Sequence, residues 1–429
     1  MRRLYNFLSI PFGLAIVISF PGCECNKEEV ARVDEDWNRQ LGDGEVALRK
    51  LDPSEYPDFS QGFFRKRGLE QAAMYNIEYL SKPSSEQYFP YLDVSHSRAL
   101  ASNEAFIEVL QQASSPEELD QMIKARFEVY QSRGWNDRGD VLFTGYYRPI
   151  FDARFQPTGE YQYPLYKRPP DLVRNEAAGK YERQTGGPYY SRREINNGAL
   201  AGKGLEIAYL RDPFEAYIVT VQGSGRLRMG DGGYFDIGYH GDNGHEYKSI
   251  GQWLVSENLI RPEELSLPGL IKFFKENPAH MKQALDLNPR YVFFTPRTGG
   301  PFGSLNVPVT PFRSIATDKA VYPRASVTFI DTLVPARSGG GVITNHDYKG
   351  FAMDQDTGGA IRAAGRCDFF LGTGDEVGEL AGRTLSKGKI YYIFVRESGS
   401  GQGHLAGPAP ITPVTPAPSE EYDDFDGLR

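Results

Sequence analysis

The segment DQDTGGAI at residues 354–361 is followed closely by RCDFFLG at residues 366–372, and this pair of segments is the most informative part of the sequence. In the first, Asp356 stands at the start of a glycine turn. In the second, Asp368 lies inside an apolar, strand-like run. Burial beside Phe369 and Phe370 would disfavour the ionised carboxyl of Asp368 and raise its pKa, which suits a general acid near neutral pH. A structural aspartate that hydrogen-bonds to the backbone is an equally open interpretation.

Outward from these segments, short aromatic and β-branched runs broken by Gly and Pro predict strands from Val141 onward. The clearest runs are residues 141–144, 216–221, 291–294 and 390–395. Apolar spacing predicts an N-terminal helical stretch over residues 98–132, with a helix start at Ser115-Pro116. Two further helical patches are predicted at residues 249–257 and 267–285. The pattern therefore indicates a mainly β protein with peripheral helices.

The N-terminus has the pattern of a secretion signal over residues 1–22, with Arg2 and Arg3 before an apolar stretch. The stretch contains Pro11 and Gly13 and is shorter than the roughly 20 apolar residues of a membrane span, so a retained transmembrane helix is the weaker alternative. Cys23 follows in a context similar to a bacterial lipobox and is the predicted lipidation site. A lipid-anchored linker is expected over residues 23–55, and a disordered, Pro-rich tail over residues 398–429.

Charge and motif content exclude several classes of protein. The 48 basic and 56 acidic residues give a net charge of −8, and no dense Lys/Arg block predicts nucleic-acid binding. The chain lacks a His-Glu-x-x-His motif, a phosphate loop and a Gly-x-Ser-x-Gly motif.

The pair His240 and His245 alone would not fill a metal site. With three cysteines, at positions 23, 25 and 367, no structural disulfide is expected. We also expect no Cys/His metal cluster.

Two polar or aromatic stretches are candidate ligand contacts. The tight turn Gln222-Gly223-Ser224-Gly225 presents side chains that could hydrogen-bond a ligand. Tyr146-Tyr147 and Tyr239 are among many tyrosines that could stack on sugar faces, although aromatic residues also build β-rich cores.

At these residues the sequence resembles the membrane-bound lytic murein transglycosylase A family over roughly residues 140–396. The resemblance is carried by an ordered set of motifs: residues 143–149 (FTGYYRP), 162–166 (QYPLY), 191–195 (SRREI), 221–225 (VQGSG), Tyr239, 243–244 (NG), Tyr247, 249–251 (SIG) and 288–294 (NPRYVFF). The C-terminal part also resembles a domain with three aspartates, which match Asp318, Asp356 and Asp368. Ala325 and Ala363 depart from the family pattern, since glycine is usual at both turns.

The resemblance implies a double-psi β-barrel interrupted by a second β-barrel-like domain, with a substrate groove between them. The expected parts are residues 56–155 (helical region and first part of the barrel domain), 156–287 (inserted substrate-binding domain) and 288–397 (three-aspartate barrel domain). The family's catalytic aspartate falls on Asp368, with Asp356 as its close neighbour. Substrate-binding positions are expected at Thr144, Tyr146, Tyr147, Gln222, Gly223, Ser224, Gly225, Tyr239, Asn243 and Asp318.

The resemblance further implies a peptidoglycan lytic exotransglycosylase, a carbon–oxygen lyase. It would cut the β-1,4 bond between N-acetylmuramic acid and N-acetylglucosamine and leave 1,6-anhydromuramoyl ends, with one Asp acting as acid and then as base. Because the substrate supplies its own nucleophile, this reaction would require neither a metal nor an organic cofactor. The expected location is the periplasmic side of the outer membrane, held by a lipid anchor. We expect a monomer whose partner is the peptidoglycan glycan strand, with other cell-wall enzymes as candidate partners. A non-catalytic, expansin-like cell-wall binding module is the alternative, because fold does not fix function.

Overall fold

The computed structural model describes residues 35–175, 178, 180–261, 267–338, 340–358 and 361–397. The predicted signal peptide, Cys23, Cys25 and the predicted tail lie outside these ranges. Across the residues described, none of the helices is both long and apolar enough to span a membrane.

Strands and short helices alternate along the chain. In order they are β1 (Leu48–Lys50), α1 (Leu69–Leu80), α2 (His96–Gln112), α3 (Pro116–Arg126), β2 (Phe127–Ser132), β3 (Val141–Arg148), β4 (Ile150–Arg154), β5 (Tyr163–Tyr166), β6 (Leu172–Asn175), β7 (Lys180–Arg183), α4 (Arg192–Asn196), β8 (Glu206–Leu210), α5 (Pro213–Gln222), β9 (Ser224–Arg228), β10 (Tyr234–Asp242), α6 (Ile250–Ser256), α7 (Leu267–Glu276), α8 (Pro278–Leu287), β11 (Val292–Pro296), β12 (Ser314–Ala316), β13 (Ser326–Arg337), β14 (Ile343–Asp356), β15 (Arg366–Thr373), α9 (Asp375–Arg383) and β16 (Leu385–Val395).

The first sheet closes on itself as a barrel. Its strand order is β1-β2-β16-β13-β14-β12-β15-β3, and β3 pairs again with β16, so the six strands from β16 to β3 form a closed ring. The pairs β12–β14 and β15–β3 are parallel, whereas the other pairs of the ring are antiparallel. Closure leaves the ring without free edges, and its interior holds large buried side chains such as Phe143, Phe369 and Tyr392. The predicted mainly β barrel fold is confirmed.

The second sheet is built from residues between β3 and β12. Its order is β11-β10-β9-β4-β8-β5, and a bridge between Lys167 and Phe294 brings the end of β5 back toward β11. The strands β4 and β11 lie outside the limits 156–287 expected for the inserted domain. Helices α5 to α8 cover this sheet with a separate apolar core.

The N-terminal helices pack against the outside of the barrel. Phe59 and Phe106 contact Phe351 there in a second apolar layer. Helix α3 begins at the predicted position, because the Ser115 hydroxyl accepts a hydrogen bond from the Glu118 amide and Pro116 needs no donor there. Residues 249–257 and 267–285 are helical as predicted, the latter as α7 and α8 interrupted before Pro278.

The structure differs from the sequence-based predictions at three places. Residues 127–132, the end of the predicted helical stretch 98–132, form strand β2, which pairs with β1 and β16. Residues 216–221 form part of helix α5 instead of a strand, since Asp212 caps its first turn through the amides of Phe214 and Glu215 and Gly223 ends it in a left-handed conformation. The expected linker over residues 23–55 includes strand β1, which pairs with β2 and buries Leu48. That strand is too short for its periodicity to be recognised.

The two alanines that depart from the family pattern adopt the backbone conformation that glycine favours. Ala325 has φ 52° and Ala363 has φ 62°. Both are fully buried, and the amide of each donates a hydrogen bond, Ala325 to the Asp354 carbonyl and Ala363 to the Asp318 carboxylate. The turns therefore keep their geometry at the cost of a left-handed alanine, about 1–2 kcal/mol each.

Candidate functional site

The barrel registers bring the two acidic segments to one level of the wall. Ala316 of β12 pairs with Asp356 on one side and with Asp368 on the other. Asp368 in turn pairs with Thr144 of β3. Because adjacent strands lie about 4.8 Å apart, the backbones of the two aspartates are separated by two strand spacings. Four predicted site residues, Thr144, Tyr146, Asp356 and Asp368, thus come together.

The carboxylate of Asp356 is held by three donors. Its Oδ1 accepts hydrogen bonds from the amides of Ser304 (2.7 Å) and Thr357 (2.8 Å), and its Oδ2 accepts one from the Tyr146 hydroxyl (3.0 Å). Burial raises the pKa of Asp356, and these hydrogen bonds oppose the rise by favouring the ionised form. The pKa of Asp356 stays above its ordinary value, and the three hydrogen bonds fix the position of its carboxyl group.

Asp368 has a poorer set of partners. Burial raises its pKa to about 7, and the nearby charge of Asp356 adds to the rise, while the Thr144 hydroxyl and the charge of Arg366 lower it. Its Oδ1 is buried and has no hydrogen-bond partner among the described residues. A buried carboxylate oxygen without a hydrogen-bond partner makes ionisation of the carboxyl group unfavourable. The carboxyl group of Asp368 thus takes up a proton near neutral pH.

Together the two aspartates have the arrangement needed for proton transfer. The Asp356 carboxyl is held by three hydrogen bonds, whereas the Asp368 carboxyl has an unpartnered oxygen and a pKa raised to about 7. Two carboxyls in unequal environments are a recurrent sign of acid–base chemistry. The Tyr146 hydroxyl donates to Asp356, and the Tyr146 ring packs on Phe370 of β15, the strand that carries Asp368, with ring centroids 5.1 Å apart.

A buried ion pair lies directly behind this site. Lys319 contacts the Asp354 carboxylate, and the two side chains are 5% and 0% exposed. The Asp354 Oδ2 also accepts hydrogen bonds from the hydroxyls of Thr317 (2.7 Å) and Tyr392 (2.8 Å). Asp354 lies two residues before Asp356, so this network fixes the end of β14 from which Asp356 extends.

The Gln222–Gly225 turn lies on the second sheet, where α5 passes into β9. Gly223 has φ 74°, a conformation in which glycine avoids the cost of a Cβ atom. Gln222 is exposed at the end of α5, and a Cβ atom on Gly223 would stand 4.0 Å from the Tyr239 ring. Tyr239 is 42% exposed, and its hydroxyl donates to Asp242 (2.7 Å). This turn therefore offers an amide, a glycine backbone and an aromatic face together.

Three other residues predicted to contact the substrate have side chains that contact other parts of the protein instead. Tyr147 is buried against Gly378 of α9. Asn243 is fully buried; its amide donates to the carbonyls of Tyr190 and Pro289 and accepts from the Tyr291 amide. Asp318 accepts from the amides of Ala320 and Ala363. Their contacts are those of residues that shape loops.

Reasoning from sequence missed Lys319, Asp354 and Ser304 as parts of this region. Lys319 follows the three-aspartate position Asp318, and a lysine next to an acidic turn reads as a surface residue. Ser304 lies in a loop with no periodic pattern. The only available signal was the buried setting of Asp354 at the end of an apolar run.

Comparisons with known proteins agree with this architecture. Residues 142–295 match the MltA specific insert domain, and residues 313–394 match the 3D domain. The membrane-bound lytic murein transglycosylase A of Escherichia coli K12 is 31% identical over 269 residues, which cover 62% of this chain and 69% of the relative. The protein of the same name from Vibrio cholerae is 30% identical over 274 residues, covering 63% and 70%.

Solved structures give the same result. The crystal structure of E. coli MltA with bound chitohexaose is 25% identical, with a TM-score of 0.60 over 84% of this chain and 98% of that chain. A membrane-bound lytic murein transglycosylase from Agrobacterium tumefaciens has the same fold, with a TM-score of 0.69 at 24% identity over 82% and 98% of the two chains. With the paired aspartates and the inserted second sheet, these matches show that the chain belongs to the membrane-bound lytic murein transglycosylase A family.

Proposed function

We propose that the protein is a lytic transglycosylase that cleaves peptidoglycan glycan strands at the β-1,4 bond between N-acetylmuramic acid and N-acetylglucosamine. The observation that carries this proposal is Asp368, a carboxyl with a pKa raised to about 7 next to an anchored carboxylate. A non-catalytic binding module would not require two neighbouring carboxyl groups in such unequal environments. Membership of the family supports the same activity.

In the proposed reaction, Asp368 acts first as acid and then as base. Its proton passes to the glycosidic oxygen as the bond from that oxygen to C1 of N-acetylmuramic acid breaks. The C6 hydroxyl of the same sugar then bonds to C1, and Asp368 accepts its proton. Asp356 supplies negative charge beside the cation that develops at C1. No water molecule is consumed, so the product is a 1,6-anhydromuramoyl end, unlike the product of glycosidases that use a second carboxylate as base or nucleophile.

We further propose that the exposed Gln222–Gly225 turn, Tyr239, Thr144 and Tyr146 line the path of the glycan. The Gln222 side chain has no hydrogen bond to a described residue and is exposed, so it is available to bind a ligand. Titration of chitohexaose into Gln222→Ala by calorimetry tests this contact, and an unchanged affinity removes Gln222 from the path.

Digestion of purified peptidoglycan, followed by mass spectrometry, tests the function. We expect fragments with 1,6-anhydromuramoyl ends. Fragments with hydrated reducing ends would identify a hydrolase, and intact sacculi with bound protein would favour the expansin-like binding module.

The pH dependence follows from the raised pKa of Asp368. The acid step needs the protonated carboxyl, so we expect the cleavage rate to fall as pH rises through about 7. Initial rates between pH 5 and 9 on one peptidoglycan preparation measure the effect, and chitohexaose binding over the same range separates it from altered affinity. A rate that rises steadily from pH 6 to 8 would contradict the assignment of Asp368 as the acid.

For location, we propose that Cys23 is lipidated and holds the protein at the periplasmic side of the outer membrane. The basic start, the apolar run and Cys23 together form the pattern of a lipoprotein signal. We expect Cys23→Ser to lose incorporation of a palmitate analogue and to leave the membrane fraction or accumulate as precursor. Equal labelling of both proteins would exclude Cys23 as the lipid site.

A further inference from the structure

Three basic side chains gather around a bulge in strand β10. Tyr239 pairs with Phe294 and Gly241 with Phe293, so His240 is the extra, exposed residue between them. A Cβ atom on Gly238 would stand 2.8 Å from Cγ of Arg297, and one on Gly241 would stand 3.1 Å from Cδ of Arg168. The two glycines thus let both arginines lie against the strand on either side of His240. We call Arg168, His240 and Arg297 the basic cluster.

The positive charge of this cluster is not neutralised in the part of the chain that the structure describes. Arg297 donates to the neutral Asn306 Oδ1 (3.0 Å) and lies over the Phe302 ring, while Arg168 lies over the Tyr181 ring. Neither makes an ion pair with a described residue. Burial and both arginines lower the pKa of His240, which agrees with an excess of positive charge there.

Neighbouring arginines behave differently. Arg226 and Arg148 both pair with Asp236, and Arg290 pairs with Asp242 at 2.8 Å. Each of these three arginines has an ion-pair partner, whereas Arg168 and Arg297 are held by neutral contacts. Side chains that are oriented but still charged are suited to bind an anion.

The cluster is connected to the site on the barrel. Asn306, which Arg297 contacts, lies in the same short loop as Ser304, whose amide donates to Asp356. On the other side, Tyr239 adjoins His240 and reaches the Gln222–Gly225 turn. A glycan lying between that turn and Asp368 would pass beside the cluster.

We propose that the basic cluster binds a carboxylate of the glycan strand. This inference rests on the proposed function and adds a specificity to it. Each N-acetylmuramic acid carries a lactyl ether, whose carboxyl is free in peptide-free strands and is an amide in strands that carry peptides, where the peptide supplies other carboxylates. N-acetylglucosamine oligomers have no carboxylate. A guanidinium group recognises this difference through charge-assisted hydrogen bonds.

Binding to three ligands tests the proposal: chitohexaose, peptide-free murein strands and peptide-bearing murein strands. The proteins compared are Asp368→Asn, which keeps the strands from being cleaved, and the same protein with Arg168→Gln and Arg297→Gln added. Arg49→Gln is the matched control, because it removes an exposed guanidinium from β1 on the barrel sheet. Cleavage by the otherwise unchanged protein is measured separately, so a failure of the proposed function appears there and not in the binding data.

We expect the two arginine changes to weaken binding of murein strands about 10-fold or more, the scale of a lost charge-assisted hydrogen bond, and to leave chitohexaose binding within about 2-fold. Loss for peptide-free strands alone would identify the lactyl carboxylate, and loss for peptide-bearing strands alone would identify the peptide carboxylates. Arg297→Lys should recover part of the affinity, which a misfolded variant would not allow. Equal losses for all three ligands, or no loss for either kind of strand, would overturn the proposal.

Discussion

The substitution Asp368→Asn is expected to abolish cleavage of peptidoglycan while leaving the fold and glycan binding intact. The amide keeps the shape of the carboxyl group, but it cannot donate and then retrieve a proton. General acid–base assistance contributes about 10²–10⁴ in rate, and the loss of both roles should reach the upper end of that range. The variant also removes a carboxyl that is costly to ionise. Release of anhydromuramoyl fragments, measured over time by mass spectrometry, gives the rate.

Two comparisons make this result specific. Asp356→Asn should be damaging but less complete, because Asp356 supports the site and is already held by the Ser304 and Thr357 amides. Unfolding of Asp368→Asn should show unchanged or higher stability above pH 7. The raised pKa of Asp368 means that the folded protein loses stability as pH rises from the unfolded value near 4 toward about 7, and asparagine lacks that loss. If Asp368→Asn retained more than about a tenth of the wild-type cleavage rate, Asp356 would become the candidate for proton transfer.

The substitution Lys319→Met should have the largest effect on stability. It leaves the Asp354 carboxylate, which is fully buried, without the cation that neutralises it. Removing one partner of a buried ion pair costs about 3–5 kcal/mol. Hydrogen bonds from Thr317 and Tyr392 remain, but they do not replace a positive charge. Urea unfolding followed by circular dichroism measures the change in the free energy of unfolding.

The double variant Lys319→Met, Asp354→Asn is the control for this experiment. It removes both charges and keeps an oxygen that can accept the Tyr392 hydroxyl. Replacing a buried pair by neutral groups is much less costly than breaking it, so the double variant should recover a large part of the lost stability. A single variant that loses less than about 1 kcal/mol, or a double variant no more stable than the single one, would show that the pair contributes little.

Much of the barrel could be predicted from sequence because its strands carry strong local patterns. The runs at residues 141–144 and 390–395 lie in the barrel strands β3 and β16, and residues 292–294 of a third run lie in β11 of the second sheet. The strand predicted at residues 216–221 was wrong because β-branched residues are common in strands. The signals that determine the helix, the N-cap at Asp212 and the left-handed Gly223 at its end, lie outside the run. The preference of these residues for a strand was overridden by the helix caps and by burial of α5 in the apolar core of the second sheet.

The site could be predicted only in part. Asp368 and Asp356 are visible because carboxylates inside or beside apolar strands are unusual. Their unequal environments depend on Ser304 and Tyr146, which lie 52 and 210 residues from Asp356 in sequence. Contacts at such separation leave no local pattern. The same holds for Arg297 and Arg168, whose position against Gly238 and Gly241 exists only once β10 and β11 have paired.

Insertion of the second sheet between β3 and β12 also has a consequence for folding. Strand β3 completes the barrel by pairing with β15 and β16, and the contact of Thr144 with Cys367 spans 223 residues. During synthesis from the N-terminus, the apolar strand Val141–Arg148 therefore stays unpaired until nearly all of the chain has been synthesised. The inserted sheet can assemble earlier, since its strands lie between residues 150 and 296. Barrel closure is then the late, slow step, and β3 is the segment most exposed to aggregation before it.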